Sequence, residues 1–415
     1  MREKIKIIIV GNGFGGTYTL KNLHKFFCEK SQVEISLVGE KNYFLFTPLL
    51  HEVATGAIHK ENIVEPIRKI LGCCISKFYL AKMEKINLEK QTITAGTYTL
   101  PYDYLVLATG AETNFYNIKG AKENSFTLKT IEDAVKIKNQ VIRQIEHAAH
   151  IADRAERKKM LTFVIVGGGP TGVELAAELQ ELVQENFSHY YQKEIIEDAS
   201  VILIQRGKEL LPQFGEKMKK KSLEFLEKKG VKVMLNTAVQ EANSQGVLIN
   251  DSREIKTQTI IWVAGIKMAE LNFSKEMRKT KDGRLIVNKY LQLQDYNNIF
   301  ALGDMAAFKA ENTDNFLPAL AQVAEKEAKM VARNIYLSIE NKELKPFTYK
   351  HAGNLVSLGQ WMAIGEISNF TFWGHIAWWL WRTIYLSKLI SFRKKIKVAM
   401  DWTINLFYPR DISEL

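Results

Sequence analysis

Glycine spacing is the first chemical signal in this sequence. The stretch GNGFGG places Gly11, Gly13 and Gly16 directly after an apolar, β-branched run, Ile5–Val10. In the dinucleotide-binding pattern the first glycine permits a tight turn, the second lets backbone approach a pyrophosphate, and the third lets a helix pack on the strand. The phosphates then lie at a helix N-terminus, where free N–H groups and the dipole favour negative charge. We therefore predict a strand, a phosphate-binding loop and a helix over residues 17–27, although one such motif alone is a weak signal.

The same spacing recurs in GGGPTGVELAAEL. Gly167, Gly169 and Gly172 follow a second apolar run, Leu161–Val166, and a helical pattern extends over residues 174–187. Two complete strand–glycine–helix units are far more specific than one. Two dinucleotides bound by one chain usually mean one permanent redox cofactor and one exchanging carrier. The sequence therefore predicts an α/β fold with two Rossmann-like dinucleotide-binding domains.

The residue that ends the second strand of each unit decides whether the site accepts a ribose with free hydroxyls or one with a 2′-phosphate. An acid is expected there, because it hydrogen-bonds the ribose hydroxyls. In the first unit Gly39 ends the strand and Glu40 follows, so either Glu40 reaches the ribose or that bond is absent. In the second unit Gln205 and Arg206 close the strand at residues 201–204, and Arg206 either pairs with a 2′-phosphate or points to solvent. NADH is the default prediction, and NADPH stays open.

Composition narrows the class of protein. The 415 residues, 46% apolar and 25% charged, suit two or three globular domains. The three cysteines, Cys28, Cys73 and Cys74, have no zinc or iron–sulfur spacing, so no metal is predicted. Because no signal peptide precedes the first strand, we expect a cytoplasmic protein. A net charge of +11 fits nucleic acid, an anionic membrane or a solvated surface, and the position of the charges decides between these partners.

Basic and aromatic side chains are interleaved in residues 371–415. Five of the seven tryptophans lie here: Trp373, Trp378, Trp379, Trp381 and Trp402. The stretch 371–400 has no Asp or Glu and six cations: Arg382, Lys388, Arg393, Lys394, Lys395 and Lys397. One helical face collects Phe392, Ile396, Ala399, Met400, Thr403 and Phe407. This pattern indicates a segment on an anionic bilayer surface, with a buried dimer interface as a compatible alternative. No apolar run approaches the ~20 residues needed to span a bilayer, and nucleic acid is not expected.

Further motifs carry a family resemblance. NYFLFTPLLHEVATG, YDYLVLATG, WVAG, NNIFALGDMA and ALAQVAEKEA follow one another at residues 42–56, 102–110, 262–265, 297–306 and 319–328. With the two glycine loops and the basic tail, they resemble the type II NADH:quinone oxidoreductases. These are single-subunit, non-proton-pumping respiratory enzymes of the two-dinucleotide-binding flavoprotein superfamily. The resemblance implies permanently bound FAD, NADH as hydride donor and a membrane quinone as acceptor. It also implies a homodimer at the cytoplasmic face of the cell (inner) membrane.

The resemblance assigns roles to the residues that match its motifs. For FAD it implies Gly11, Gly13, Phe14, Gly15, Gly16, Glu40, Lys41, Thr47, Pro48, Ala108, Thr109, Gly110, Gly303, Asp304, Ala321 and Gln322. For NAD(P)H it implies Gly167, Gly169, Pro170, Thr171, Gly172, Glu174, Gln205, Arg206, Ala264 and Gly265. The catalytic set is Glu174 near the nicotinamide, with Gln322 and Lys326 at the quinone.

Several of these residues have simpler interpretations, and some depart from the family pattern. Thr47 and Asp304 could only cap helices, and Gln322 could be an ordinary helix-surface residue. Glu174, placed in a first helical turn, could only pair with the helix dipole. The family usually carries two glutamines a turn apart in the quinone helix, and here the second position is Lys326. This departure puts the quinone geometry in doubt, since lysine only donates hydrogen bonds.

The expected architecture has three parts. A discontinuous FAD domain covers 1–118 and 266–342, an NAD(P) domain covers 119–265, and 343–415 form a quinone-side, membrane-anchoring helical region. Two related families are disfavoured by cysteine positions. Sulfide:quinone oxidoreductases need cysteines later in the chain than Cys74, and disulfide reductases need a pair near residues 45–53. An oxidoreductase with another acceptor, or a basic flavoprotein with a binding or signalling role, remains an alternative.

Overall fold

The computed structural model describes residues 4–28, 30, 32–71, 76–309, 315–367 and 370–414. Within these ranges the strands, numbered in chain order, are β1 Ile5–Val10, β2 Val33–Gly39, β3 Tyr43–Leu45, β4 Val64–Pro66, β5 Ser76–Leu80, β6 Met83–Asn87, β7 Thr92–Ala95, β8 Tyr98–Pro101, β9 Tyr104–Leu107, β10 Ala111–Thr113, β11 Thr162–Val166, β12 Ser200–Ile204, β13 Lys232–Met234, β14 Val239–Asn243, β15 Gly246–Ile249, β16 Glu254–Lys256, β17 Thr259–Trp262, β18 Ile266–Met268, β19 Asn272–Phe273, β20 Leu285–Ile286, β21 Ile299–Ala301, β22 Ala306–Ala307, β23 Asn354–Ser357, β24 Ala363–Ile367 and β25 Phe370–Gly374.

The α-helices of the same ranges are α1 Phe14–Phe27, α2 Leu50–Ala54, α3 Ile67–Leu71, α4 Ala121–Asn124, α5 Ile131–Ala148, α6 Arg154–Met160, α7 Pro170–Glu181, α8 Lys193–Asp198, α9 Glu216–Lys228, α10 Ala321–Ile339, α11 His375–Lys388 and α12 Phe392–Ile404. Short 3₁₀ helices lie at Thr47–Leu49, Lys60–Ile63, Phe187–His189, Asn250–Ser252 and Gly303–Met305, and a π-helical turn, Leu182–Asn186, continues α7.

The chain forms two compact units. The first comprises Met1–Leu45, Val64–Glu112 and Ile266–His351; the second comprises Phe46–Ile63, Thr113–Gly265 and Ala352–Leu415. Each unit contains one of the two glycine loops. The predicted domain limits at residues 118, 265 and 342 stay a prediction.

The first unit is built on a parallel sheet in the order β21-β9-β1-β2-β5. Its central strand β1 is the apolar run before GNGFGG, and Ile7 and Ile9 are fully buried because helices cover such a sheet on both faces. Helices α1 and α10 pack against each other in this unit. The order places the glycine loop after β1 next to the ends of β9 and β21, which carry the Ala–Thr–Gly and Gly–Asp motifs.

The second unit repeats the arrangement with the parallel order β13-β12-β11-β17. An antiparallel sheet, β14-β15-β16, adjoins it along the chain, and the C-terminal part adds the antiparallel sheet β23-β24-β25 followed by α11 and α12. The predicted α/β class with two Rossmann-like arrangements and a C-terminal helical region is confirmed.

Both helices that follow the glycine loops begin earlier than expected. α1 begins at Phe14 instead of residue 17, and α7 begins at Pro170 instead of Glu174. Proline suits the first helical position because it has no N–H to leave unpaired and its φ is already helical. Glu174 therefore lies in the second turn of α7, and the interpretation of a first-turn acid paired with the helix dipole is wrong. Cys28 is exposed, whereas Cys73 and Cys74 lie outside the described residues.

The C-terminal tryptophans correct the prediction that residues 371–415 form only a surface segment. Trp378, Trp381 and Trp402 are buried within the second unit, and only Trp373 and Trp379 of the five are exposed. Arg382, counted above among the lipid-facing cations, lies with its guanidinium 3.6 Å from the Trp378 ring centre. Burial lowers the pKa of Arg382 to about 10. In contrast, the predicted apolar face is solvent-exposed: Phe392 on α12 is 75% accessible, and Phe407, three residues beyond the end of α12, is 77% accessible. No helix among the described residues is long and apolar enough to cross a membrane.

Candidate active site

The first glycine loop has the geometry of a phosphate cradle. Gly11 has φ +101°, and a Cβ on it would lie 2.2 Å from the carbonyl oxygen of Ala108. A Cβ on Gly16 would lie 1.7 Å from the carbonyl oxygen of Gly11, so the helix can approach the strand only if this residue is glycine. At Gly13 a Cβ would meet nothing among the described residues within 4 Å. Its open side and the uncapped start of α1 leave backbone N–H groups available to an anion.

Asn12 ties the first loop to the segment after β2. Its Nδ2 donates to the carbonyl oxygens of Lys41 and Tyr43, at 2.8 and 2.7 Å. Gly39 is required beside it, since a Cβ there would lie 2.5 Å from Asn12 Oδ1. Sequence reasoning noted Gly39 only as a missing acid and passed over Asn12. Glu40 and Lys41 are exposed in the segment that Asn12 fixes.

The Ala–Thr–Gly and Gly–Asp motifs meet in the first unit. β9 leads into Ala108, Thr109 and Gly110, and the Thr109 N–H donates to Met305 Sδ at 3.3 Å. Met305 closes the 3₁₀ turn Gly303–Met305 after β21, which holds Asp304. The adjacent strands thus bring these motifs beside the glycine loop, as the resemblance implies for an FAD site. Asp304 is not a helix cap in this structure, since the cap position of its turn is Leu302.

Helix α10 carries the remaining residues predicted for this unit. It begins at Ala321, and Ala321 and Gln322 are half-buried in its first turn. The Lys326 ammonium lies 4.7 Å from the Tyr349 ring centre and donates to the carbonyl oxygen of Lys350. Its charge is thereby engaged with the segment that follows α10.

The second glycine loop repeats the backbone features of the first. Gly167 has φ +121°, a Cβ on Gly172 would lie 1.8 Å from the Gly167 carbonyl oxygen, and a Cβ on Gly169 would again meet nothing among the described residues within 4 Å. Pro170 and Thr171 begin α7, which has no side-chain cap among the described residues. The loop can therefore hold a second anion.

Gln205 is used differently from a ribose-binding acid. Its Oε1 accepts from the Gly168 N–H at 3.0 Å, and its Nε2 donates to the Glu209 carbonyl oxygen at 3.2 Å. Arg206 is exposed and lies 5.7 Å from the Tyr116 ring centre. Of the two residues that close the strand, Gln205 therefore braces the glycine loop through its amide, and Arg206 presents an exposed cation.

Tyr116 also contacts the loop that contains Ala264 and Gly265. A Cβ on Gly265 would lie 2.0 Å from the Tyr116 hydroxyl oxygen, and Gly265 has φ +71°. The Trp262 Nε1 donates to the Ala264 carbonyl oxygen at 3.1 Å. Ala264, Gly265 and Arg206 thus lie around one tyrosine that sequence reasoning did not single out.

Three buried glutamates line one face of α7: Glu174, Glu178 and Glu181. Their spacing of four and three residues puts them on one side of the helix. The Ser357 N–H donates to Glu174 Oε1 at 3.2 Å, and His51 Nδ1 lies 3.8 Å from Glu174 Oε2. Burial, with the nearby carboxylates of Glu52 and Glu178, raises the pKa of Glu174 well above its ordinary value.

The C-terminal tail supplies the cation for the other two glutamates. The buried Arg410 guanidinium lies 2.7 Å from Glu178 Oε2 and 3.0 Å from Glu181 Oε2, and Lys229 contacts Glu181 as well. Burial alone would raise the pKa of Glu178, but Arg410 lowers it below its ordinary value. Burial and the charge of Glu178 raise the pKa of Glu181 to about 7.

The segment after Thr47 and Pro48 joins the same cluster. Thr47 opens a 3₁₀ helix without a side-chain cap, so it is not the helix cap considered above. The helix α2 that follows buries His51 and Glu52, and burial lowers the pKa of His51 to about 4. Glu52 Oε2 accepts from Trp402 Nε1 at 2.6 Å, and burial and Glu178 raise the pKa of Glu52 to about 8. Sequence reasoning passed over Glu178 and Glu181, although the spacing of the glutamates in VELAAELQE is a signal for one face of a helix. Nothing local to Arg410 or Glu52 indicates burial.

Comparison with known proteins decides the family. The pyridine nucleotide-disulphide oxidoreductase family matches residues 5–328, and the NDH2 C-terminal domain matches residues 351–411. The type II NADH:quinone oxidoreductase Ndh of Mycobacterium tuberculosis is 31% identical, over 98% of this chain and 89% of that protein. This chain belongs to the type II NADH:quinone oxidoreductase family. A probable NADH dehydrogenase of Dictyostelium discoideum is also 31% identical, over 99% of this chain and 91% of its own length.

Solved structures agree on the fold. The structure of NDH2 from Plasmodium falciparum in complex with NADH has a TM-score of 0.92 at 23% identity, covering 99% of this chain and all of that one. The sulfide:quinone oxidoreductase of Aquifex aeolicus has a TM-score of 0.75 at 20% identity, covering 97% of this chain and 95% of that one. Because two families share this fold, the fold alone does not separate them.

Proposed function

We propose that this protein oxidises NADH through a bound FAD and passes two electrons to a membrane quinone without pumping protons. The observation that carries the proposal is the pair of matching glycine cradles in a chain that belongs, over nearly its full length, to the type II family. FAD supplies the hydride acceptance and the electron transfer, and the chain binds and orients the reactants.

The residues of the first unit suit FAD. Gly11, Gly13 and Gly16 form the cradle for the pyrophosphate, with Phe14 and Gly15 beginning the helix behind it. Ala108–Gly110 and the turn with Asp304 lie on adjacent strands, where a flavin attached to that pyrophosphate would extend. Exposed Glu40 is the remaining candidate for the adenosine ribose, since Gly39 has no side chain to reach it.

The second unit is assigned to the nicotinamide dinucleotide. Gly167, Gly169 and Gly172 would hold its pyrophosphate, and Glu174, a buried carboxyl whose pKa is raised, would lie at the nicotinamide end. No acid ends β12, and the Gln205 amide is bound to the loop. Exposed Arg206 therefore allows NADPH as a second donor.

Gln322 is the residue we assign first to quinone contact. Lys326 would join it as a second donor only by exchanging the carbonyl oxygen of Lys350 for a quinone oxygen.

We also propose peripheral association with the cytoplasmic face of the membrane through the exposed face of α12, and a homodimer. The exposed cations Lys388, Arg393 and Lys397 would each add about 1 kcal/mol on an anionic surface.

Steady-state oxidation of NADH and NADPH by purified FAD-loaded protein, with and without a short-chain quinone, tests the reaction. We expect quinone-dependent turnover with NADH. In Gln322→Ala this turnover should fall while reduction of the flavin by NADH is retained, and Lys329→Ala, an exposed change on the same helix, should behave as wild type. Flavin reduction without any quinone turnover would redirect the proposal to another acceptor.

Lipid binding needs point variants, because the tail is part of the fold. Deleting 371–415 would remove Arg410 and Trp402 from buried carboxylates, so loss of membrane binding would only reflect unfolding. A triple variant, Phe392→Ser, Ile396→Gln and Phe407→Ser, keeps those contacts. It should lose binding to vesicles containing anionic lipid, whereas Leu80→Gln, an exposed apolar residue of the first unit, should not. Unchanged vesicle binding in the triple variant would refute the assigned face.

A further inference from the structure

A buried acid holds the Gly303–Asp304 turn. Gly303 has φ +71°, a left-handed conformation, and its N–H donates to Glu327 Oε2 at 2.6 Å. Glu327 lies on α10 and is 1% exposed. Further contacts of this turn among the described residues include the Leu302 N–H, which donates to the Leu107 carbonyl oxygen at 3.1 Å, and Met305 Sδ, which accepts from the Thr109 N–H at 3.3 Å.

Burying the Glu327 carboxyl costs free energy, so we expect a contact that compensates this cost. The residues buried around Glu327 on α10 include Val323, Ala324, Ala328 and Val331, which are apolar. A carboxyl taken from water into such surroundings is destabilising unless a partner compensates it. Among the described residues, a backbone N–H of the turn that carries Asp304 is such a partner. At 2.6 Å, the distance from the Gly303 nitrogen to Glu327 Oε2 is at the short end of the range for hydrogen bonds.

We propose that Glu327 is a positioning residue for the flavin, which fixes the Gly303–Asp304 turn and sets the charge beneath it. The proposal rests on the assignment of this turn to FAD in the proposed function. Asp304 would touch the cofactor, and Glu327 acts only through Gly303.

The protonation of Glu327 gives the proposal a distinctive signature. Burial raises the pKa of Glu327 to about 8; the Gly303 N–H opposes this and the charge of Asp304 adds to it. Asp304 on the turn and Tyr349 on the segment after α10 are the titratable groups that face it, and burial and Glu327 raise the pKa of Tyr349. Below pH 8 the acid is neutral. Above pH 8 a second negative charge lies beside Asp304, which disfavours an anionic cofactor and its reduced, more negative state.

The test compares Glu327→Gln and Glu327→Leu with wild-type holoenzyme from pH 6.5 to 9.5. The rate of FAD release, followed by flavin fluorescence, and the flavin midpoint potential are the two measurements. As the pH rises through 8, wild type should release FAD faster. Its flavin midpoint potential should also fall by more than the ordinary pH dependence of flavin accounts for. Glu327→Gln keeps the size and an acceptor but cannot ionise, so this extra step should vanish while release at pH 6.5 stays within about threefold of wild type. Glu327→Leu should release FAD about tenfold to a hundredfold faster at every pH.

Controls separate this inference from the proposed function. Glu340→Gln removes a carboxylate from the end of the same helix, where it pairs with Lys30, and should leave both measurements as in wild type. The inference is overturned if Glu327→Gln retains the step near pH 8, or if folded Glu327→Leu holds FAD as tightly as wild type. Wild-type protein that binds no FAD would instead overturn the proposed function. If Glu327→Leu does not fold, the comparison of Glu327→Gln with wild type still decides.

Discussion

The two glycine loops share a backbone and differ in what surrounds it. Both have a left-handed first glycine, a third glycine in contact with the carbonyl oxygen of the first, and an open second glycine. In the first loop a side chain of the loop itself, Asn12, reaches out to the segment after β2. In the second loop the bracing side chain, Gln205, reaches in from the strand end. The glycine geometry is thus common to both loops, and the side-chain contacts that brace the loops are where they diverge.

The helices behind the loops differ even more. The buried face of α1 carries glycine, threonine and apolar residues, whereas that of α7 carries Glu174, Glu178 and Glu181. The first helix can be stabilised by packing alone. The second requires cations from elsewhere in its unit, and the tail supplies Arg410. The comparison teaches that an identical binding motif can depend on local packing in one unit and on a distant residue in the other.

Arg410→Met should have the largest effect on this contrast. It leaves the buried carboxyls of Glu178 and Glu181 without their cation, and breaking a buried pair in this way costs about 3–5 kcal/mol. Urea unfolding measures the loss. Arg143→Met is the matched control, since its pair with Glu414 is exposed and is worth about 0–1 kcal/mol. Equal losses in the two variants would mean that α7 does not depend on the tail.

Alanine at the third glycine of each loop should affect FAD retention and NADH binding separately. In Gly16→Ala and Gly172→Ala the new Cβ would clash with the carbonyl oxygen of the first glycine, and relief of such overpacking costs about 1–3 kcal/mol. We expect Gly16→Ala to weaken FAD retention and Gly172→Ala to raise the KM for NADH with FAD retained. Flavin absorbance and steady-state kinetics report the two effects. Loss of FAD in Gly172→Ala would show that the two cradles are not independent.

The buried carboxyls of the second unit predict a dependence of stability on pH. The pKa of Glu52 is raised to about 8 in the folded protein, so the folded state holds a proton that the unfolded state has lost above about 4.5. Stability should therefore fall as pH rises from about 5 to 8, by up to about 1.4 kcal/mol per pH unit for this group. Glu52→Gln retains an acceptor for Trp402 and should flatten that slope in urea unfolding at pH 5.5, 6.5 and 7.5. A slope identical to wild type would contradict the assignment.

The smallest expected effect lies at the ribose end. Arg206→Ala should lower kcat/KM for NADPH by about tenfold and leave NADH within about twofold, because the guanidinium would pair only with a 2′-phosphate. Lys208→Ala, an exposed cation two residues on, is the control. Equal losses with both nucleotides would indicate that Arg206 acts through Tyr116 rather than on the phosphate.

Much of the scaffold followed from local sequence. Glycine spacing, apolar strands and the order of motifs predicted the α/β class, both loops and the family, because backbone sterics restrict those positions to glycine whatever surrounds them. The starts of α1 and α7 were missed by three and four residues, since a glycine loop can enter a helix without a side-chain cap to mark the start.

Burial in the C-terminal region was not predictable in the same way. The basic residues and tryptophans predicted a single membrane-surface segment. In the structure Trp378, Trp381, Trp402 and Arg410 are buried, whereas the face with Phe392 and Phe407 is exposed. Side-chain type states what a residue can contact, but the contact depends on which distant segment folds against it.

The sequence by itself determined the two glycine loops, the cofactor class and the family, since these depend on residues close together along the chain. Only the tertiary structure decided that Gln205 braces its loop, that Glu327 holds Gly303, and that Arg410 neutralises glutamates more than 200 residues earlier. The physical reason is that desolvation and pairing act through space, and a charge becomes costly or useful only where folding removes it from water.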